Sequence, residues 1–223
     1  MRIEVYESDA EALEAAAALA EAFLKDGPNA QPAVGIAGGR SGRAIMLALS
    51  GRDGIPWKRA RFCAVDEPLE EPSNRALLRE HLLVPRGVPS PAVEEEDRTG
   101  AWEAEVRAAA GSELAFDLLV LELGSGGEIG VLDAERLAAA DGAASIVQTP
   151  GRIGLGPAAL RAARRAILVA TGAERKHALA AAVRAANGAA LPAHLVLPSA
   201  RVTWCVDRAA AAELLRDAQP APA

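Results

Sequence analysis

The stretch Val34-Gly35-Ile36-Ala37-Gly38-Gly39-Arg40-Ser41-Gly42-Arg43-Ala44-Ile45 decides the fold. Val34, Gly35 and Ile36 read as the end of a buried strand, and Ser41 opens a helical run through Ile45, Leu47 and Leu49. Gly38 and Gly39 turn the chain between them. A strand, a glycine turn and a helix N-terminus together make an anion cradle. The helix offers unpaired N–H groups and the positive end of its dipole, and glycine lets the backbone approach a ligand closely. Arg40 and Arg43 add positive charge at its mouth. The spacing matches neither the Walker loop nor G-x-G-x-x-G, so both nucleotide-binding signatures are excluded. The same glycines also suit a tight turn with no ligand, and the local sequence does not separate the two readings.

Working outward, the chain repeats this plan. Residues 2–6 form a short strand, and Ser8 with Glu11 sets a capping box for a helix to Lys25, stopped by Asp26-Gly27-Pro28. Arg61 to Val65 is an apolar strand ending in Asp66-Glu67, two carboxylates that suit either a site at a strand end or a solvated turn. Pro72-Ser73-Asn74 starts a helix to Leu83, Pro85 to Arg98 is a connection with room for one short strand, and Trp102 to Ala109 is helical. Phe116 to Leu123 is nearly continuous in apolar residues, the mark of a central parallel strand buried on both faces. It runs into a second glycine loop, Gly124-Ser125-Gly126-Gly127-Glu128, in which Glu128 is the ionisable group.

Ser145 to Thr149 and Arg152 to Leu155 are short β pieces, and Pro157 sits at a helix start. Ala166 to Ala170 is another buried strand, followed by Thr171-Gly172-Ala173 and a helix bearing Arg175, Lys176 and His177, which Asn187-Gly188 ends. Pro192 to Val196 is a short turn with a structural His194. Val202 to Val206 is the last strand, with Trp204 and Cys205 on opposite faces, and Asp207 caps a final helix to Leu215. The pattern predicts an α/β fold, a three-layer, doubly wound, mainly parallel sheet of Rossmann-like type. It forms one domain over residues 1–218, with 219–223 a frayed tail.

Composition restricts the partners. The 223 residues are 51% hydrophobic and 24% charged, with a net charge of −6, which argues against nucleic acid and anionic membranes as partners. Aromatics are 3%, too few for a base-stacking surface. Cys63 and Cys205 lie in apolar runs without metal-ligand spacing and read as buried, reduced thiols; no metal and no cofactor is expected. Glu4, Glu7 and Asp9 exclude a signal peptide, no apolar run is long enough to span a bilayer, and the cytoplasm is the default. Strands that end at glycine turns beside basic residues, gathered on one sheet edge, suit a phosphorylated small molecule.

These residues resemble a known family, the 6-phosphogluconolactonases and glucosamine-6-phosphate deaminases. Ile36-Ala-Gly-Gly-Arg-Ser-Gly-Arg-Ala44 resembles the family's phosphate loop Leu-Ser-Gly-Gly-Ser-Thr-Pro-Lys-Ala. Val65-Asp66-Glu67 with Ser73-Asn74 resembles Asp-Glu-Arg…Ser-Asn, and Phe116 to Gly124 resembles the strand before Gly-Pro-Asp-Gly-His. Arg152-Ile-Gly-Leu with the helix after it, Thr171-Gly-Ala-Glu-Arg175 and Val202-Thr-Trp-Cys-Val-Asp207 follow in register, closer to the lactonase branch. The resemblance implies a sugar-phosphate substrate and hydrolysis of 6-phosphoglucono-lactone to 6-phosphogluconate in the pentose phosphate pathway. It implies phosphate contacts from Gly38, Gly39, Ser41, Arg43, Arg152 and Arg175. The catalytic loop departs from the family: Gly126 stands at its aspartate position, Glu128 at its histidine position, and Pro68 replaces the arginine of Asp-Glu-Arg. Glu128 is therefore the candidate base and Asp66 its polar partner. The alternatives are a binder of phosphosugars without turnover, and an aldose–ketose isomerase or deaminase using Glu128 or Asp66 for proton transfer.

Overall fold

The structure is a computed structural model that describes residues 1–90, 97–184, 192–195 and 202–217. The strands are β1 (Arg2–Tyr6), β2 (Ala33–Ile36), β3 (Arg61–Ala64), β4 (Asp66–Pro68), β5 (Leu118–Glu122), β6 (Ile146–Thr149), β7 (Arg152–Leu155), β8 (Ala166–Ala170) and β9 (Val202–Asp207). The helices are α1 (Asp9–Asp26), α2 (Gly39–Ser50), α3 (Asn74–Leu78), α4 (Arg98–Ala110), α5 (Ala134–Ala139), α6 (Pro157–Ala162), α7 (Lys176–Arg184) and α8 (Ala212–Asp217).

Six strands form one parallel sheet in the order β1-β9-β8-β5-β2-β3. The alternation of side chains along β5 builds both cores. Leu118 and Val120 face α1 and α2, whereas Leu119 and Leu121 face α4, α6 and α7. Trp204 and Cys205 divide between these two cores, as their adjacency in the sequence requires. The result is the expected three-layer, doubly wound arrangement. The order reverses between β2 and β5, so a crevice opens where their carboxyl ends diverge. Gly38, Gly126 and Gly172 all follow the carboxyl ends of parallel strands and gather at this edge.

A second sheet, which the sequence pattern does not announce, stands at the same edge. β4, β7 and β6 pair antiparallel in that order. The β pieces at 145–149 and 152–155 thus form their own ribbon, with Asp66–Pro68 as its outer strand. The chain passes from the parallel sheet into this ribbon at Val65, whose N–H donates to Ile36 O at 3.2 Å and whose carbonyl accepts from Leu155 N–H at 3.0 Å. The solvated-turn reading of Asp66-Glu67 fails here, because both residues are buried.

Other differences are local. The helix expected from Ser73 to Leu83 is α3 followed by a π-helical turn at Arg79–Leu83, where Val84 N–H reaches Arg79 O at 2.9 Å. A wider turn of this kind re-aims side chains, and His81 accepts from Arg43 Nε at 3.0 Å. A 3-10 turn at Ala173–Arg175 precedes α7. Cys63 and Cys205 are buried and unbridged, and burial pushes the Cys205 thiol up to about 12. Asn187-Gly188, Val196 and the tail 219–223 lie outside the described residues.

Leu119 lies fully buried at the centre of the larger core. Leu119→Ala is expected to lower the unfolding free energy by about 2–5 kcal/mol, read as a reduced urea midpoint. An unchanged midpoint would mean that this strand is not the centre of the fold.

Candidate functional site

The first group of site residues grows from the β2–α2 turn. Ala37 N–H donates to Val120 O at 2.8 Å, which holds the turn against β5. Gly39 has φ +71°, a left-handed conformation that a side chain would strain. Gly38 is required by close approach. A Cβ there would stand 1.8 Å from Asn74 Oδ1. Asn74 is fixed in turn, its Nδ2 donating to Asp66 O at 3.0 Å. Ser41 is buried in the first turn of α2, and its Oγ donates to Glu122 Oε1 at 2.7 Å.

Glu122 ends β5 and was not singled out from the sequence. The signal was present as the one acidic residue between Leu118 and Leu123. The apolar run around it drew attention to the strand rather than to its charged end. Arg175 Nη2 donates to Glu122 Oε1 at 2.8 Å. The same guanidinium donates from Nε to Leu123 O at 2.8 Å and from Nη1 to Thr171 O at 2.7 Å, and it pairs with Glu174. Four acceptors thus lock Arg175 into the junction after β8. Gly172 beside it, at φ +95°, donates its N–H to Asp207 at the end of β9.

Arg43 belongs to a different surface. It is two residues beyond Ser41, roughly 200° around the helix, and its Nε is committed to His81. Arg40 is exposed and reaches Asp9 Oδ2 at 3.3 Å.

The second group centres on the ribbon. Asp66 is almost completely buried and pairs with Arg152, whose side chain is 46% exposed. They meet because Asp66 stands opposite Gly154 and Pro68 opposite Arg152, which puts the two side chains on one face of the ribbon. Gly154 keeps that face open, since a Cβ there would fall 2.8 Å from Asp66 Cβ. Burial raises the Asp66 pKa, and the Arg152 charge opposes the rise. Glu67 serves the scaffold. Fully buried, it accepts from Ser73 Oγ at 2.5 Å and from Arg75 N–H at 3.0 Å, and so anchors the start of α3. Burial raises its pKa too, opposed by these bonds.

Glu128 lies in the loop after β5. Gly124 N–H donates to Glu128 O at 2.9 Å, and Gly126 N–H donates to Glu128 Oε2 at 2.9 Å. The carboxylate therefore rests against its own loop. Glu128, Gly130, Thr149 and Arg152 line a cleft of about 610 Å³. Asp66 reaches this cleft through Arg152. Leu123 and Gly124 connect the two groups, since Arg175 holds Leu123 O and the next residue begins the Glu128 loop. Among the described residues no three His, Cys, Asp or Glu side chains form a metal site, and no helix is long and apolar enough to cross a membrane.

Comparison with known proteins adds an independent finding. Residues 7–204 match the family described as glucosamine-6-phosphate isomerases/6-phosphogluconolactonase. A 6-phosphogluconolactonase of Streptomyces coelicolor is 30% identical over 220 residues, covering 83% of each chain. Among solved structures, a 6-phosphogluconolactonase from Trypanosoma cruzi superposes with a TM-score of 0.75 at 21% identity, covering 96% of both chains. A monomeric glucosamine-6-phosphate deaminase gives 0.69 at 16% identity, covering 96% of this chain and 100% of the other.

The buried pair makes a prediction about stability. With its folded pKa raised, Asp66 contributes stability that is complete below the unfolded value of about 3.9 and lost as pH rises through the folded value. Removing Arg152 raises that folded value further. Arg152→Gln is therefore expected to match the wild type in acid and to fall behind as pH rises, by about 1–3 kcal/mol at neutral pH. Urea melts from pH 3.5 to pH 8 read the difference, and a gap that stays constant with pH would contradict this account of the pair.

Proposed function

The chain belongs to the family of glucosamine-6-phosphate isomerases and 6-phosphogluconolactonases, and from that premise we propose that it hydrolyses 6-phosphoglucono-lactone to 6-phosphogluconate. The observation that carries the proposal is the cleft lined by Glu128 and Arg152, linked to the Gly38–Ser41 turn through Asp66 and Asn74. It sets a carboxylate, a half-exposed guanidinium and a helix N-terminus at one sheet edge. The cytoplasmic pentose phosphate pathway is the setting that such a step implies.

In the proposed reaction the Glu128 carboxylate takes a proton from water as the water oxygen bonds to the lactone carbonyl carbon. Negative charge develops on the carbonyl oxygen, where loop N–H groups and the Arg152 guanidinium stabilise it. The tetrahedral adduct collapses, the bond from carbonyl carbon to ring oxygen breaks, and the ring oxygen takes the proton back from Glu128. Asp66 orients Arg152 through their ion pair. Gly38, Gly39, Ser41 and Arg175 form the cradle for the 6-phosphate; Arg152, which the family resemblance groups with them, lines the Glu128 cleft and is assigned to the reacting end. A free glutamate, pKa about 4.3, is a weaker base than histidine at about 6.5. A lactone is an activated ester, so the step is within reach of a carboxylate.

One observation favours a second reading, binding without turnover: the Glu128 carboxylate accepts from Gly126 N–H within its own loop, which occupies one of its acceptor directions. The two readings separate on one substitution. Glu128→Gln keeps the shape and removes the base, and general-base catalysis is worth about 10²–10⁴ in rate. Lactone hydrolysis above the spontaneous background is expected in the wild type and is expected to fall by that factor in the variant, with 6-phosphogluconate still bound. A wild type that binds 6-phosphogluconate without hydrolysing the lactone would favour the binder. A variant at full rate would remove Glu128 from the mechanism.

A further inference from the structure

The cradle already contains a negative charge. Glu122 projects from the carboxyl end of β5 with its side chain 20% exposed. Its Oε1 takes both the Ser41 hydroxyl, at 2.7 Å, and the Arg175 Nη2 donor, at 2.8 Å. A Cβ on Gly39 would lie 3.8 Å from Glu122 Oε2, so the carboxylate rests against the glycine turn at the start of α2. The helix dipole and the guanidinium both favour an anion in this place. Here the protein's own side chain supplies it. A phosphate entering the same turn needs the same two donors and meets a like charge beside them.

We propose that Glu122 is a built-in anion of the cradle and the residue that sets how strongly the site prefers a phosphorylated over an unphosphorylated sugar lactone. The proposal rests on the lactone-hydrolase reading for its substrate class, and on the three contacts above for its direction. Phosphate must displace the carboxylate from Ser41 and Arg175 or bind next to it, and either course weakens the grip. An uncharged hydroxyl at the same end of the sugar meets no such repulsion and finds in the carboxylate a hydrogen-bond acceptor. Glu122 therefore narrows the gap between the two substrates and brings unphosphorylated sugar lactones into range. Glu122 takes no part in the bond-making steps, which belong to the neighbouring cleft.

The test removes the charge and reads binding and kinetics separately. Glu122→Gln keeps the shape of the side chain and an acceptor for Arg175, and Glu122→Ala empties the position; thermal melts establish that each variant is folded. By calorimetry, inorganic phosphate and 6-phosphogluconate are expected to bind both variants about tenfold or more tighter than the wild type, the scale of relieving one like-charge contact. Unphosphorylated gluconate is expected to bind Glu122→Gln about as it binds the wild type, since the amide oxygen still accepts, and to bind Glu122→Ala no more tightly than either. In turnover, the ratio of kcat/KM for the phosphorylated over the unphosphorylated lactone is expected to rise by the same factor, through KM with kcat unchanged. Phosphate affinity that is unchanged or weaker in the folded variants, or absent from all three proteins, overturns the proposal. So does a change that affects both lactones equally, which would mark Glu122 as a structural tie alone. Should none of the proteins hydrolyse a lactone, the lactone-hydrolase reading fails, while the calorimetry still decides the role of Glu122.

Discussion

The carboxylate of Glu122 binds three junctions of the fold to one another. It stands at the end of the central strand β5, accepts the hydroxyl of Ser41 from the start of α2, and accepts the guanidinium of Arg175 from the turn after β8. Neighbouring strands thereby have their carboxyl ends fixed by a side-chain network as well as by the sheet ladder. Such a network, partly shielded from water, is stronger than the same bonds in solvent, and it is costly to leave half made. Arg175 spends its other donors on backbone carbonyls at Leu123 and Thr171. The edge that carries the candidate site is consequently rigid before any ligand arrives.

A second constraint acts one strand away. The edge strand β3 ends at Ala64, and the next residues lead at once into an antiparallel ribbon. Two consecutive carboxylates are buried at this crossing, and each is answered differently. Glu67 is satisfied by Ser73 and the Arg75 backbone and so fixes the start of α3. Asp66 is satisfied by Arg152 from the facing strand and so fixes the ribbon. Asn74 then ties both to the cradle, bonding to the Asp66 carbonyl while it packs over Gly38. The cleft-lining Arg152 and the scaffold residues at the start of α3 are thus linked through Asp66 and Asn74.

The division of labour between the two groups follows from exposure. Arg152 and Glu128 open onto a cleft, where one side chain keeps a half-exposed charge and the other a loop-held carboxylate. Ser41, Glu122 and Arg175 are turned inward and satisfy one another. A cleft with accessible charge suits the reacting end of a substrate. In the cradle, by contrast, the donors of Ser41 and Arg175 are already engaged by Glu122.

The sequence by itself determined the layers of this protein. The apolar runs at Val34, Val120 and Val169 read as buried strands, the longest of them as a strand buried on both faces, and the helical segments between them imply crossovers that make the sheet parallel. Glycines at 38, 126 and 172 marked the strand ends, and a parallel sheet gathers such ends on one edge. Family motifs in register named the same junctions. What only the tertiary structure decided is how the charges are shared. Asp66 meets Arg152 across 86 positions and Glu122 meets Ser41 across 81, and no local pattern encodes such pairings. The antiparallel ribbon was hidden for the same reason, since β6 and β7 are local neighbours across Pro150-Gly151 but their third strand, β4, comes from a distant part of the chain. Arg43 shows the same dependence on packing: it lies two residues beyond Ser41, and its Nε finds His81, 38 positions away. Periodicity fixes which side of an element is buried. Which cation each anion takes depends on long-range packing, because a charge at the end of a strand pairs with whatever the rest of the fold delivers to it.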